Sequence, residues 1–220
     1  MIQDFDGIEH EVGDDPSLAV IWLHGLGADA SDFLPVINAL VLPRPTRFVF
    51  PNAPVRPVTI NGGMRMRAWY DISGFGPDAA EDVAGISDSA ATVRTLVERE
   101  VARGLAREQI FLAGFSQGGA VVQHAGLAAD EPVGGVLGLS TYLPAFASLQ
   151  ELPSVQAGVP VWLAHGMHDV VIPLALAEHS AQQLRGIGVS VDWSVYPMGH
   201  EVCPPEISAL NAWLVRQSTR

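Results

Sequence analysis

The segment from Gln109 to Ala120 constrains this chain more than any other. An apolar run, Ile110-Phe111-Leu112-Ala113, leads into Gly114-Phe115-Ser116-Gln117-Gly118-Gly119, a serine with glycines two positions before and two after. The reason for the spacing is steric. A serine on a tight strand-to-helix turn has a strained backbone, and glycine at the flanking positions lets strand and helix approach closely. The hydroxyl is thereby pushed out of the sheet, and the Gln117 amide faces the same space from a helix N-terminus. Glycine-rich loops bearing a serine also occur without chemistry. The β-rich run before Ser116 and the helical pattern Ala120-Val121-Val122-Gln123-His124-Ala125 after it favour a nucleophile.

A chain of 220 residues, 48% of them hydrophobic, can bury one core, and no repeat or shift in composition marks a second. Residues 1–220 are therefore expected to form a single domain. The formal net charge of −12 is spread along the chain, a field that repels nucleic acid and anionic lipid surfaces. Met1-Ile2-Gln3-Asp4-Phe5-Asp6 has neither a basic segment nor a long apolar core, and no run reaches the length of a membrane span. Cys203 stands alone, so no internal disulfide forms, which fits a reducing compartment. The expectation is a cytoplasmic protein with no nucleic-acid partner and no integral membrane association.

Leu18 to Leu23 reads as a strand buried on both faces, running into His24-Gly25-Leu26-Gly27-Ala28-Asp29-Ala30. Gly25, Gly27 and Ala30 imitate a dinucleotide-binding fingerprint. The next strand, Phe48-Val49-Phe50, leads into Pro51-Asn52-Ala53-Pro54, with no acid where a ribose-binding carboxylate belongs. The competing reading is an oxyanion loop whose Leu26 amide converges with that of Gln117. Ser31 or Asp32 can cap a helix through Leu40, stopped by Pro43 and Pro45. Pro51 to Pro77 reads as one long Pro- and Gly-rich loop carrying Met66, Trp69 and other large apolar groups, part of which walls an acyl pocket. Asp82 to Arg103 reads as a helix with Val83, Ile86, Ala90, Val93, Val97 and Val101 on one stripe. Further strands are expected at Gly134–Leu139, Val159–Ala164 and Val189–Tyr196. Strand and helix in alternation imply a mostly parallel, twisted α/β sheet with helices on both faces.

A hydrolytic serine needs an imidazole to take its proton and a carboxylate to orient the ring. On such a sheet these follow in the order serine, acid, histidine, on loops after later strands. Asp169 and His200 occupy those loops. Asp192 and Asp130 read as solvated surface, His165 and His168 as residues that shape the acid's loop, and His124 as a structural histidine. No metal-ligand spacing is present, so no metal is expected.

These motifs together resemble the carboxylesterase/acyl-protein thioesterase family of small α/β-hydrolases. The resemblance spans nearly the whole chain: Leu23 to Gly27, Pro51 to Pro54, Ala68-Trp69-Tyr70-Asp71-Ile72, Gly114 to Gly119, His165-Gly166 through Asp169 to Pro173, and Gly199-His200. It implies an α/β-hydrolase fold without a large lid domain, a triad of Ser116, Asp169 and His200, backbone donors from Leu26 and Gln117, and no cofactor. The expected groove for the acyl chain is lined by Leu26, Met66, Trp69, Phe115, Tyr142 and Val171. The implied activity is that of a serine carboxylesterase acting on short- to medium-chain esters or thioesters. The alternatives are an acyl-protein thioesterase or lysophospholipase, and, from another class, a non-catalytic binder on the same fold. The Gly62–Arg67 segment resembles the carboxylesterase branch more than the protein-depalmitoylating one. Trp213 and Phe146 read as exposed apolar groups available to a homodimer interface.

Overall fold

The computed structural model describes residues 5–75, 79–151 and 155–219. Seven strands form the main sheet: β1 (Gly7–Val12), β2 (Leu18–Leu23), β3 (Thr46–Pro51), β6 (Ile110–Phe115), β7 (Gly135–Leu139), β8 (Val161–Gly166) and β9 (Val191–Tyr196). Their order is β1-β3-β2-β6-β7-β8-β9, with β1 antiparallel to β3 and every other pairing parallel. The alternation of side chains along a strand divides the core in two. Ala19, Ile21 and Leu23 of β2 face one layer, packed by α2 (Val83–Ala102), α3 (Gln117–Leu127) and α5 (Leu174–Gly186). Leu18, Val20 and Trp22 face the other, covered by α1 (Leu34–Ile37) and α6 (Pro204–Ser218). A short α4 (Phe146–Gln150) follows β7.

The α2 helix runs where its periodicity places it. Asp82 is its N-cap, accepting the Gly85 amide at 2.9 Å, and Ile86, Ala90, Val93 and Val97 are buried along one face. Val83, expected on that stripe, is exposed in the first turn.

Three expectations differ from the structure. The helix expected from Ser31 or Asp32 to Leu40 shrinks to Leu34–Ile37, capped by no side chain. The Asp29 carboxylate takes both the amide and the hydroxyl of Ser31, which favours a turn over a helical start. The segment read as one loop from Pro51 contains an antiparallel hairpin, β4 (Val55–Val58) with β5 (Met64–Arg67). Its tip turns through Gly62 and Gly63, both at positive φ, and the Asp71 carboxylate anchors it by accepting the Thr59 amide and hydroxyl. Trp213 is not a surface group: it is 1% exposed, its ring meets Phe111 edge-on, and its Nε1 donates to Asp192. Phe146 is half-buried.

Strand β1 escapes a hydrophobic reading because its side chains are mostly polar and solvated. Charge holds it. Glu9 pairs with Arg99 of α2 and with Arg103 at its C-cap, and Glu11 with Arg47 of β3, around a fully buried Glu100 that accepts from Arg47 at 2.6 Å.

In the first turn of α6, Glu206 is buried, and neither carboxyl oxygen makes a well-formed hydrogen bond among the described residues. Burial pushes its pKa from 4.5 up to about 8, with the nearby Cys203 amide a partial counterweight. The folded state therefore keeps a proton that the unfolded chain has lost. Stability is intact below pH 4.5, falls by about 1.4 kcal/mol per pH unit between the two values, and levels off above pH 8. Glu206→Gln is expected to match the parent near pH 4 and to be a few kcal/mol more stable at pH 8, read by urea unfolding at both pH values.

Candidate active site

The elbow between β6 and α3 follows from close packing. A methyl on Gly114 would overlap the Gly118 carbonyl, and one on Gly118 would lie 2.6 Å from the His24 oxygen. With the two elements in contact, Ser116 is forced to φ 52°, ψ −119°, a region costing a non-glycine residue about 1–3 kcal/mol. Hydrogen bonds on both sides hold it there: the Ser116 amide donates to the Leu139 carbonyl at 2.9 Å, and Thr141 Oγ1 donates to the Ser116 carbonyl at 2.7 Å.

The loops after β8 and β9 bring Asp169 and His200 to this serine. His200 Nε2 lies 2.9 Å from Ser116 Oγ, and His200 Nδ1 lies 2.7 Å from Asp169 Oδ2. The other carboxylate oxygen, Oδ1, accepts the amides of Val171 and Ile172, each at 2.8 Å. These bonds call for the Nδ1–H tautomer, which leaves Nε2 free to accept the serine proton. The two loops are tied together as well. The amides of Met167 and His168 donate to the Tyr196 and Met198 carbonyls, and a side chain on Gly166 would overlap the Gly199 carbonyl. Phe115 packs on the His200 ring with centroids 4.9 Å apart.

The two segments expected to supply oxyanion amides both approach the serine. Gln117 opens α3, while the His24–Gly27 loop passes so near that a Cβ on Gly25 would lie 3.4 Å from Ser116 Cβ. Neither the Leu26 nor the Gln117 amide is taken by a backbone carbonyl among the described residues. The loop itself is braced. His24 Nε2 accepts the Ala53 amide at 3.0 Å, and the Gly27 amide donates to the Arg67 carbonyl at 2.9 Å. Burial lowers the His24 pKa, so the ring stays a neutral acceptor.

The expected groove residues part company. Leu26, Met66, Phe115 and Tyr142 are half-buried, and Val171 is exposed. Trp69 is buried beneath the surface, its Nε1 donating to the His24 carbonyl, so it braces the loop instead of lining a groove. A cleft of about 900 Å³ lies between the segment after the hairpin, α4 and α5, lined by Tyr70, Ile72, Phe75, Tyr142, Leu143 and Leu176 among others, the α4 and α5 side being one the sequence did not point to. One side chain links its wall to the elbow. Gln117 accepts the Trp69 amide at 2.8 Å and donates to the Tyr70 carbonyl at 2.7 Å. Burial and the adjacent Tyr142 phenol hold the Tyr70 hydroxyl well above its usual pKa, so it remains a neutral hydrogen-bonding group.

The rival acids and bases stand elsewhere. Asp192 accepts from Trp213 and Arg216 on the far side of β9, Asp130 and His168 are exposed, and His124 is buried against the Pro144 carbonyl. Among the described residues, no three His, Cys, Asp or Glu side chains converge enough to hold a metal ion. No described helix is long and apolar enough to cross a membrane.

A largely parallel sheet of this order, with a serine on a strained turn after its central strand, defines the α/β-hydrolase class. Within it the chain belongs to the phospholipase/carboxylesterase family, which it matches over residues 10–217. It is similar to acyl-protein thioesterase 1 of Gibberella zeae, 35% identical over 90% of this chain and 89% of that one. A probable carboxylesterase of Oryza sativa subsp. japonica is 33% identical over 89% of this chain and 76% of the relative. Among solved structures, acyl-protein thioesterase 2 of Zea mays superposes with a TM-score of 0.82 at 28% identity, covering 96% of this chain and 99% of that one.

The packing at the elbow makes a direct prediction. Gly114→Ala should destabilise the protein by about 1–3 kcal/mol or more, because the added methyl meets backbone that cannot rotate away. Gly186→Ala, at the end of α5 with open space around it, should be neutral or slightly stabilising. Thermal unfolding of the two variants checks the contrast.

Proposed function

We propose that the protein is a serine carboxylesterase that hydrolyses short- to medium-chain esters or thioesters through an acyl-enzyme. The observation carrying this reading is the unbroken chain from Ser116 Oγ through His200 to Asp169, with contacts of 2.9 and 2.7 Å. His200 Nε2 takes the hydroxyl proton as Ser116 Oγ attacks the carbonyl carbon. The tetrahedral oxyanion accepts the Leu26 and Gln117 amides, and Asp169 steadies the imidazolium. Collapse expels the alcohol or thiol with the proton from His200. Water then repeats the sequence on the acyl-enzyme and releases the acid.

The cleft beside Tyr142 has the volume of a small-molecule site and mixes Ile72, Phe75, Leu143 and Leu176 with Asp71, Glu81 and Asp82, and we assign the acyl chain to its apolar part. A thioester reading is supported by the relative named acyl-protein thioesterase 1, and the same chemistry serves it. A series of p-nitrophenyl esters run against acyl-CoA substrates of matched length separates the two.

Ser116→Ala should lose labelling by a fluorophosphonate and turnover of p-nitrophenyl butyrate while keeping the parent's circular dichroism. Asp169→Asn should lower kcat by about 10³–10⁴ through the wrong imidazole tautomer, and Asp192→Asn should leave it near that of the parent. Persistent labelling of the Ser116 variant, or an exchange of the two aspartate results, overturns the assignment.

A further inference from the structure

One buried histidine near the site has no part in that mechanism. His165, the second-last residue of β8, is fully buried, and its Nε2 lies 2.9 Å from the Ile172 carbonyl and 3.3 Å from Asp169 Oδ2. Its Nδ1 has no partner among the described residues. The carbonyl contact requires a proton on Nε2, so that N–H is directed at the Ile172 oxygen, with Asp169 Oδ2 a neighbour and not its hydrogen-bond partner. The orphaned Nδ1 is then an unpaired acceptor. A second proton would turn it into an unpaired buried donor carrying a charge, a far costlier state.

We infer that His165 is a positioning residue that acts through the Asp169–Ile172 turn, as a neutral N–H donor to the Ile172 carbonyl. The inference rests on the triad reading above. Around Asp169 the donors are Val171 and Ile172 on Oδ1 and His200 on Oδ2. Because the Ile172 amide binds Oδ1 while the Ile172 carbonyl binds His165, the turn from Asp169 to Ile172 is closed around the imidazole. The carboxylate cannot rotate away from His200 without breaking that closure.

The ring's surroundings keep it neutral. Trp193 of β9 lies nearly parallel to it at 6.4 Å, excluding water. The ionisable groups that bear on it are Asp169 and Glu178 of α5, which favour a charge, and His200, which opposes one. Burial outweighs them and lowers its pKa.

The test compares His165→Phe, which fills the space without a donor, with His165→Gln, whose amide N–H reaches the position of Nε2. Active sites are titrated with a fluorophosphonate so that rates refer to folded protein. The Phe variant is expected to lose about tenfold in kcat with KM unchanged, the scale of one hydrogen bond. The Gln variant should recover most of kcat. Should the Phe variant fail to fold, His165→Asn, too short to reach the Ile172 carbonyl, replaces it with the same expectation. A donorless variant that only melts earlier, with kcat per titrated site unchanged, overturns the inference. Asp169→Asn with the parent's kcat would instead overturn the triad reading itself.

Discussion

The Gly114 backbone lies against the Gly118 carbonyl so closely that no Cβ fits between β6 and α3, and this contact sets where the Ser116 hydroxyl points. Separating the two elements by the width of a methyl group would let Ser116 relax from its positive φ, and its hydroxyl would swing away from His200. The strain is sustained because its surroundings are over-determined. Leu139 and Thr141 clamp the serine's amide and carbonyl, and Ser140, itself at φ 45°, is anchored by donating its amide to Ala164. Neighbouring strand ends thus hold Ser116 from both sides.

The same economy joins Asp169 and His200. They are 31 residues apart, yet Gly166 and Gly199 touch backbone to backbone and two amides of the Asp169 loop donate to carbonyls beside the His200 loop. Parallel pairing of β8 with β9 carries their C-terminal ends to one rim of the sheet, so the loops leave side by side. The distance between imidazole and carboxylate is therefore a property of backbone packing, with little left to side-chain rotation.

Much of this was legible in the sequence because it rests on short-range rules. The glycines around Ser116, the apolar run of β2 before His24 and the stripe of α2 each report a local requirement, and their order implied the sheet. The groups misread are those whose role depends on distant partners. Trp213 looks exposed on a helix until Phe111 and Asp192 are brought against it. Trp69 belongs to a segment rich in Pro and Gly, and only the His24 carbonyl above its ring nitrogen turns it into a brace. Strand β1 carries glutamates at positions 9 and 11, and its burial partners are arginines at 47, 99 and 103, a pairing no periodicity encodes. The contact of His165 with Asp169 was hidden for a different reason. Four residues apart outside a helix, two side chains meet only if the loop folds back, as the Asp169–Ile172 turn does.

Gln117 shows why the elbow and the cleft cannot vary independently. Its amide faces the serine, while its side chain, buried at the head of α3, holds the Trp69 amide and the Tyr70 carbonyl. Tyr70 lies beneath the cleft with its hydroxyl 3.3 Å from that of Tyr142, and Trp69 supports the His24–Gly27 loop that presents the second amide. A glutamate at 117 would lose the donor to Tyr70 and place an unpaired charge among buried groups. A leucine would leave both the Trp69 amide and the Tyr70 carbonyl unsatisfied. Either change would disturb the two amides and the cleft wall at once, because one neutral side chain, able both to donate and to accept, spans the distance between them.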